Sequence, residues 1–504
     1  MLFRRVLLAL VATCGLIVPA QAGKRDNSLR FAYEFVIENL DPYFNSLRGG
    51  VILAHQVWDT LIYRDPNTNE YKGQLATAWR WIDDKTLELD LRRGVKFHNG
   101  AEFDADDVVF TLDYVAKPEN KATTQQNVNW IARVEKLDKY KVRIVAKQPF
   151  PAAIEYLAGP LPIHPHEYYA KVGPHGMNEK PVGSGPYRVT EHAVGKYVRL
   201  VRNAEYFKDS PKPQPTIERL DIRFIPDRQT QVAEVLSGGI DMIINVPLDS
   251  AEQLRATPHL QVVFSETMRV MFLQLDSSER TLTPQLRDIR VRQAILHAID
   301  REAIVKQLVG EGSRVLHTVC FPPQFGCSDA GAPRYGYDPA KAKQLLAEAG
   351  LAGGFETELY AFRERPHAEA MVGYLRAVGI KANLRLLQYS AARDAVRAGK
   401  APMTYQSWGS NSVNDVSAIT PVFYKFSADD VNRDPEVRDL LERGDVSPDP
   451  ELRKQAYAKA LALIQERAYV LPVASLPMYY VAAKELVFKA YPDEIPRVWE
   501  MSWK

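Results

Sequence analysis

Side chains able to do chemistry are sparse along this chain of 504 residues. The sequence holds no His-Glu-x-x-His pair for zinc, no Gly-x-Ser-x-Gly or Ser-x-x-Lys nucleophile, and no Gly-x-x-x-x-Gly-Lys-Ser/Thr phosphate loop. Its one His/Glu cluster is His164-Pro165-His166-Glu167. A proline between the histidines and no obvious third ligand favour a surface turn over a metal centre. Ser184 sits in KPVGSGPY, residues 180–187, whose glycines and prolines suit a sharp chain reversal rather than a nucleophile. No catalytic residue, cofactor or metal is expected. Cys320 and Cys327 flank Phe-Pro-Pro-Gln-Phe-Gly, and His317 alone is too little for a metal site. In an oxidising compartment the two cysteines are expected to close a small disulfide loop.

The compartment follows from the start of the chain. Arg4 and Arg5 precede an apolar run from Val6 to Val18, and Ala20-Gln21-Ala22 forms a cleavage site, so a secretory signal cut after Ala22 is expected. Cys14, preceded by Thr13, is a poor fit to a lipoprotein signal. The nearest later apolar run, residues 468–483, is broken by Pro472 and Pro477, so the mature protein is expected to lie in solution outside the inner membrane. The formal charge of +2 falls to about zero without Arg4 and Arg5, which gives no signal for nucleic acid or a membrane surface. The length exceeds what one hydrophobic core supports, so two or three domains are expected.

Local patterns supply the framework. Residues 86–92 alternate, with Leu87, Leu89 and Leu91 on one face, and read as a half-buried strand. Arg93-Gly94 breaks it, residues 95–98 resume it, and Asn99-Gly100 should turn the chain with two positive φ values. Asp104 is a helix N-cap, followed by an apolar stripe at Ala105, Val108, Val109, Leu112 and Val115. Residues 29–37 read as a strand ending before an Asp41-Pro42 turn. A helix carrying Val232, Val235 and Leu236 on one face precedes Gly238-Gly239-Ile240-Asp241. Residues 290–309 read as two helices kinked at an Asp300 N-cap, and 340–349 and 453–464 as further helices.

The segment LRRGVKFHNGAEFDADDVVFTLDYV resembles the signature of family 5 extracellular solute-binding proteins, L-R-x-G-V-x-F-H-D-G-x-x-F-x-A-x-D-V-x-F-S, with Asn99 in place of the usual Asp. KPVGSGPY resembles that family's P-V-G-T-G-P-Y, and VRQAILHAIDREAI its V-R-Q-A-x-x-x-A-I-D-R-E-x-I. The resemblance implies an α/β, two-lobed periplasmic binding protein fold, type II in its large cluster C form, with an extra inserted domain and a hinge-bound cleft. It implies a signal peptide over 1–22, a discontinuous lobe I from 23–68, 182–278 and 475–504, an inserted domain II over 69–181, and lobe II over 279–474. The implied function is capture of a short peptide or peptide-like small molecule in the periplasm, by a monomer that delivers it to an inner-membrane ABC permease. An opine or a sugar-containing solute is the alternative within that class, and a secreted hydrolase or periplasmic chaperone the alternative outside it.

The resemblance also implies site residues. Arg365, in RERPH, falls where dipeptide binders hold the ligand carboxylate, and its planar fork suits that bond. In YQSWGSNSVNDV, beginning at Tyr405, Trp408 is expected to wall the ligand and Asn411 replaces the Asp that holds a peptide amine. An Asn lacks the charge of that pair, so Asn414, Asp415 or Glu34 is the expected substitute.

Overall fold

The computed structural model describes residues 23–45, 47–123, 125–362 and 364–504. The expected signal peptide, Cys14 and the Ala22 cut lie outside them. No helix among the described residues is long and apolar enough to cross a membrane.

Two long strands organise the molecule. Leu260–Leu275 and Val470–Ala483 pair antiparallel at the centre of a ten-stranded sheet and feed every large core except one. Side chains alternate across a strand, so Met271, Leu273 and Leu275 enter one core while Val270 and Phe272 enter another. Further along, Met478, Tyr480 and Ala482 enter a third, and Tyr479 and Val481 a fourth. On one flank lie Met403–Trp408, Phe355–Ala361 and Ile380–Leu386, the last two parallel; on the other lie Met242–Ile244, Ser28–Tyr33, Arg219–Phe224, Tyr197–Arg202 and Tyr187–Ala193. The fold is thus α/β, with two flanks that share one sheet through these two strands.

The shared strands are not regular. Register shifts fall between Glu266 and Val270 and between Met271 and Phe272. Pro472 and Pro477, which cannot donate to a ladder, stand at these irregularities, where a central strand tolerates them. The expectation that prolines merely break an apolar run is therefore refined: they sit at the register shifts between the two central strands.

A separate four-stranded sheet, Ala76–Asp83, Thr86–Leu91, Lys141–Ala146 and Ile131–Asp138, packs on the helix Ala105–Ala116. Asp104 caps that helix through its side chain and Asp107 completes the capping box. Ala105, Val108, Leu112 and Val115 are buried as expected, beside Leu87, Leu89 and Leu91. Each fully buried Leu contributes about 2 kcal/mol. The hairpin expected at Asn99-Gly100 shrinks to a single bridge between Lys96 and Glu102. Only Gly100 has a positive φ there, 88°. Three other expectations change at their edges. The first strand ends at Tyr33, Leu236 is 42% exposed, and the last long helix runs Pro450–Glu466. The kink at Asp300 is present, between Ile289–Ala298 and Arg301–Ile304.

Candidate functional site

Where the two lobes and the four-stranded unit meet, a cleft of about 960 Å³ opens. The helix Arg48–Val57 offers Val51, Ala54 and His55 to it; Trp58 and Trp499 give apolar walls, and Asn411 and Ser412 close it from the far lobe. The wall is also strongly charged. Lys212 donates through Nζ to Asp59 Oδ1 at 2.8 Å and to the carbonyls of His55 and Trp58 at 2.9 and 3.2 Å. Arg64 pairs with Glu155 at 3.2 Å and donates to the Ser412 carbonyl at 3.0 Å. Arg497 holds Asp493 at 2.6 and 3.1 Å. Burial pushes the Asp493 carboxyl up, but Arg497 outweighs it and holds the group well below the usual range. Asp493 is the only acid on the wall among the described residues, against three basic side chains besides His55.

Burial, then the Lys212 and Arg497 charges, press the His55 imidazole down to about 3. It stays neutral in the folded chain while the unfolded chain takes up a proton near pH 6.5, so stability should fall as pH drops through that range. His55→Gln is expected to flatten that loss, read as urea midpoints at pH 7 and pH 5.

Ser410, Asn411 and Ser412 have φ of 50°, 50° and 64°. Three successive non-glycine residues in the left-handed region cost about 1 kcal/mol each or more, so the surroundings must impose the turn. Arg48 Nη1 donates to Ser412 Oγ at 2.6 Å, and Ser412 Oγ donates to the Asp493 carbonyl at 2.6 Å. Behind the turn, Cys320 and Cys327 are joined in a disulfide. The loop they close braces the segment: Gln324 Nε2 donates to the Val413 carbonyl at 2.8 Å, Phe325 N to the Asn414 carbonyl at 3.2 Å, and Val416 N to the Phe325 carbonyl at 3.0 Å. Replacing both cysteines with serine is expected to cost about 2–3 kcal/mol of stability. It should also speed amide exchange through 409–416 ahead of the rest of the lobe.

Of the residues singled out in the sequence, the structure brings Asn411 to the cleft and Trp408 to a neighbouring recess of about 420 Å³. The others have partners elsewhere. Tyr405 is a core residue, its hydroxyl 2.9 Å from His367 Nδ1. Asn414 donates its N–H to Glu155 Oε1 at 2.6 Å. Asp415 is buried in an ion pair with Arg453 at 2.8 Å and caps the turn at Ser417, so its charge is already used. Glu34 pairs with Arg228 and accepts from Asn245 at 2.6 Å. Arg365 opens the helix Arg365–Ala377, with its side chain 68% exposed and bound to Glu369 at 2.7 Å. His164 is buried against Tyr169 with Asp41 at 3.3 Å, which corrects the surface-turn reading. Ligand atoms of Asp104, Asp107 and His166 gather within 4.8 Å, but Asp107 is already engaged by His166 at 2.8 Å and by the N–H of Asp104 at 2.9 Å. The cleft's Arg64, Lys212, Asp493 and Arg497 gave no sequence signal, since single charged residues in unrelated segments look like surface residues until the chain buries them.

A family model, bacterial extracellular solute-binding proteins, family 5 Middle, matches residues 70–430. Over 400 residues the chain is 29% identical to the glutathione-binding protein GsiB of Salmonella choleraesuis, covering 76% of this chain and 75% of that one. It is 25% identical over 456 residues to heme-binding protein A of Haemophilus influenzae, covering 84% and 82%. The crystal structure of a dipeptide binding protein from Pseudoalteromonas sp. SM9913 in complex with Met-Leu superposes with a TM-score of 0.82 at 23% identity, covering 95% of this chain and all of that one.

Proposed function

This chain belongs to the bacterial extracellular solute-binding proteins of family 5, and from that premise we propose that it captures a short peptide or peptide-like small molecule for an ABC importer. The observation that carries the reading is the cleft lined by residues from distant parts of the chain, with Asn411 and Ser412 of one lobe facing the Arg48–Val57 helix of the other. A solute bound there touches both lobes, so it favours the arrangement in which they are closed. The closed form is then what an inner-membrane permease recognises, with the protein a periplasmic monomer whose signal peptide is cut after Ala22. The division into lobe I, inserted domain II and lobe II belongs to the same proposal. The separate core around Leu89, Val108 and Ile144 supports it, as do the cores that meet along the shared strands.

The uncharged Asn411 on the cleft favours a ligand whose amine is modified or absent, which keeps an opine-like or sugar-containing solute as a second reading. A thermal-shift screen against peptide, opine and sugar sets decides between them. A ligand at 100 times its Kd stabilises by about 2.7 kcal/mol. Stabilisation by none of the three sets, together with turnover of a peptide or ester, would point to a hydrolase.

A further inference from the structure

Gly23, the residue that follows the proposed signal cut, has a place built for its nitrogen. It is buried, with φ of 104° and ψ of −131°, a conformation open to glycine. Gly23 N donates to Asp26 Oδ1 and to Ser28 Oγ, both at 2.9 Å, and Ser28 Oγ donates to Asp26 Oδ1 at 2.6 Å. The Gly23 carbonyl in turn accepts from Asp26 N at 3.2 Å and from Ser28 N at 3.0 Å, so the loop folds back on the residue from both sides. A Cβ at this position would stand 2.8 Å from Asp241 Oδ1. That carboxylate cannot step aside, because Arg30 holds it through Nε at 3.0 Å, Nη2 at 2.7 Å and its backbone N–H at 2.8 Å.

The strand Arg219–Phe224 and the residues leading into it fix the loop to the sheet. Asn27 Nδ2 donates to the Thr216 carbonyl at 2.8 Å, Glu218 N to the Asn27 carbonyl at 2.9 Å, and Arg219 Nη2 to the Asp26 carbonyl at 2.6 Å. Cations are scarcer than donors here. Lys24 is paired with Glu485 at 3.0 Å and Arg30 with Asp241. Among the described residues Asp26 pairs with Arg219 alone, at 3.2 Å on its other oxygen, where both side chains are about half exposed and water screens the attraction. Burial would push the Asp26 carboxyl up, but the Ser28 hydroxyl, the Gly23 N–H and Arg219 outweigh it and hold it below its usual value. An ionised oxygen therefore faces residue 23 with neutral donors on it.

Hydrolysis of the Ala22–Gly23 bond by a signal peptidase consumes one water and leaves a carboxylate on Ala22 and an ammonium on Gly23. The single N–H becomes a group with three N–H donors and a full positive charge, 2.9 Å from Asp26 Oδ1. We propose that the mature chain starts as a Gly23 ammonium locked on Asp26 and Ser28, so that the cut after Ala22 completes an ion pair which the precursor lacks. The inference rests on the proposed cut and is independent of the solute. It assigns Asp26 to maturation, and it explains why the first mature residue is one without a side chain. An α-amine in a free chain titrates at about pH 8, and the carboxylate raises that value, so the lock is closed at neutral pH.

Full chains released to begin at Gly23 or, one residue longer, at Ala22 test the lock. The Gly23 chain should have an unfolding constant about 3- to 10-fold smaller, read from urea midpoints. Asp26→Asn should bring the two starts to within about twofold of each other. At pH 7.5 the Gly23 amine should react with an N-hydroxysuccinimide ester about 3- to 10-fold more slowly in the wild-type chain than in Asp26→Asn, a difference that a purely structural role for Asp26 would not produce. Equal stability of the two wild-type starts overturns the lock, and this arm needs no variant to fold. A difference that survives Asp26→Asn, or equal amine reactivity, overturns the assignment to that carboxylate. N-terminal sequencing of the exported protein should read Gly-Lys-Arg-Asp; any other start overturns the cut and the lock together and leaves the solute-binding reading standing.

Discussion

Gly183→Ala is expected to destabilise the protein by about 3 kcal/mol or more, although it adds a single methyl group. The methyl carbon would stand 2.0 Å from the Val57 carbonyl oxygen and 2.8 Å from Trp58 Cδ1, and backbone cannot step aside as a side chain can. The segment is fixed on both sides. Trp58 Nε1 donates to the Val182 carbonyl at 3.0 Å, Gly185 N donates to the Val57 carbonyl at 2.9 Å, and His98 N donates to the Gly183 carbonyl at 2.7 Å. Movement would therefore break the seam between the cleft helix and the inserted unit. The contrast is Gly373→Ala, whose added carbon meets nothing within 4 Å inside the exposed face of the helix Arg365–Ala377. That change should stabilise by about 0.5–1 kcal/mol. Urea unfolding of the two variants side by side measures both signs; equal effects would show that close approach is not what the 182–186 segment demands.

Lys212→Met should cost about 3–5 kcal/mol, because it strands a buried carboxylate. Asp59 is fully buried and depends on the ammonium at 2.8 Å; Tyr206 and Ser184 also donate to it, each at 3.1 Å, but bring no charge. Burial presses the lysine ammonium itself downward, while Asp59 pulls it back up. The double variant Lys212→Met/Asp59→Asn should recover part of the loss, since it removes both charges together. Additive costs, read from the same urea midpoints, would show that the pair is not coupled. Lys212 also lines the cleft, so the single variant should weaken ligand binding as well as folding.

The framework was legible where local chemistry decides it. The Asp104 capping box, the Leu87-Leu89-Leu91 face and the Asp300 kink follow from rules that span only a few residues. Two of the three signature segments meet, which was not visible: His98, from the first, hydrogen-bonds Gly183 and Gly185 of the second, an encounter across 85 or more residues that no local pattern encodes. The glycines were expected to serve a chain reversal, yet neither Gly183 nor Gly185 is among the positive-φ glycines, and it is close approach to Val57 that requires them. In this region the resemblance drew attention to Trp408 and Asn411, whereas Arg48 and Arg269 carried no local signal. Their pairing with Glu494 depends on helix, shared strand and C-terminal segment converging, which is tertiary information.

Native mass spectrometry tests the central claim most directly, with the intact mature protein incubated in an excess of alanine- and leucine-based di- and tripeptides. The account predicts one peptide adduct per chain, released on denaturation. A mass that stays unchanged across the whole set, with the peptides either untouched or cleaved, would contradict it.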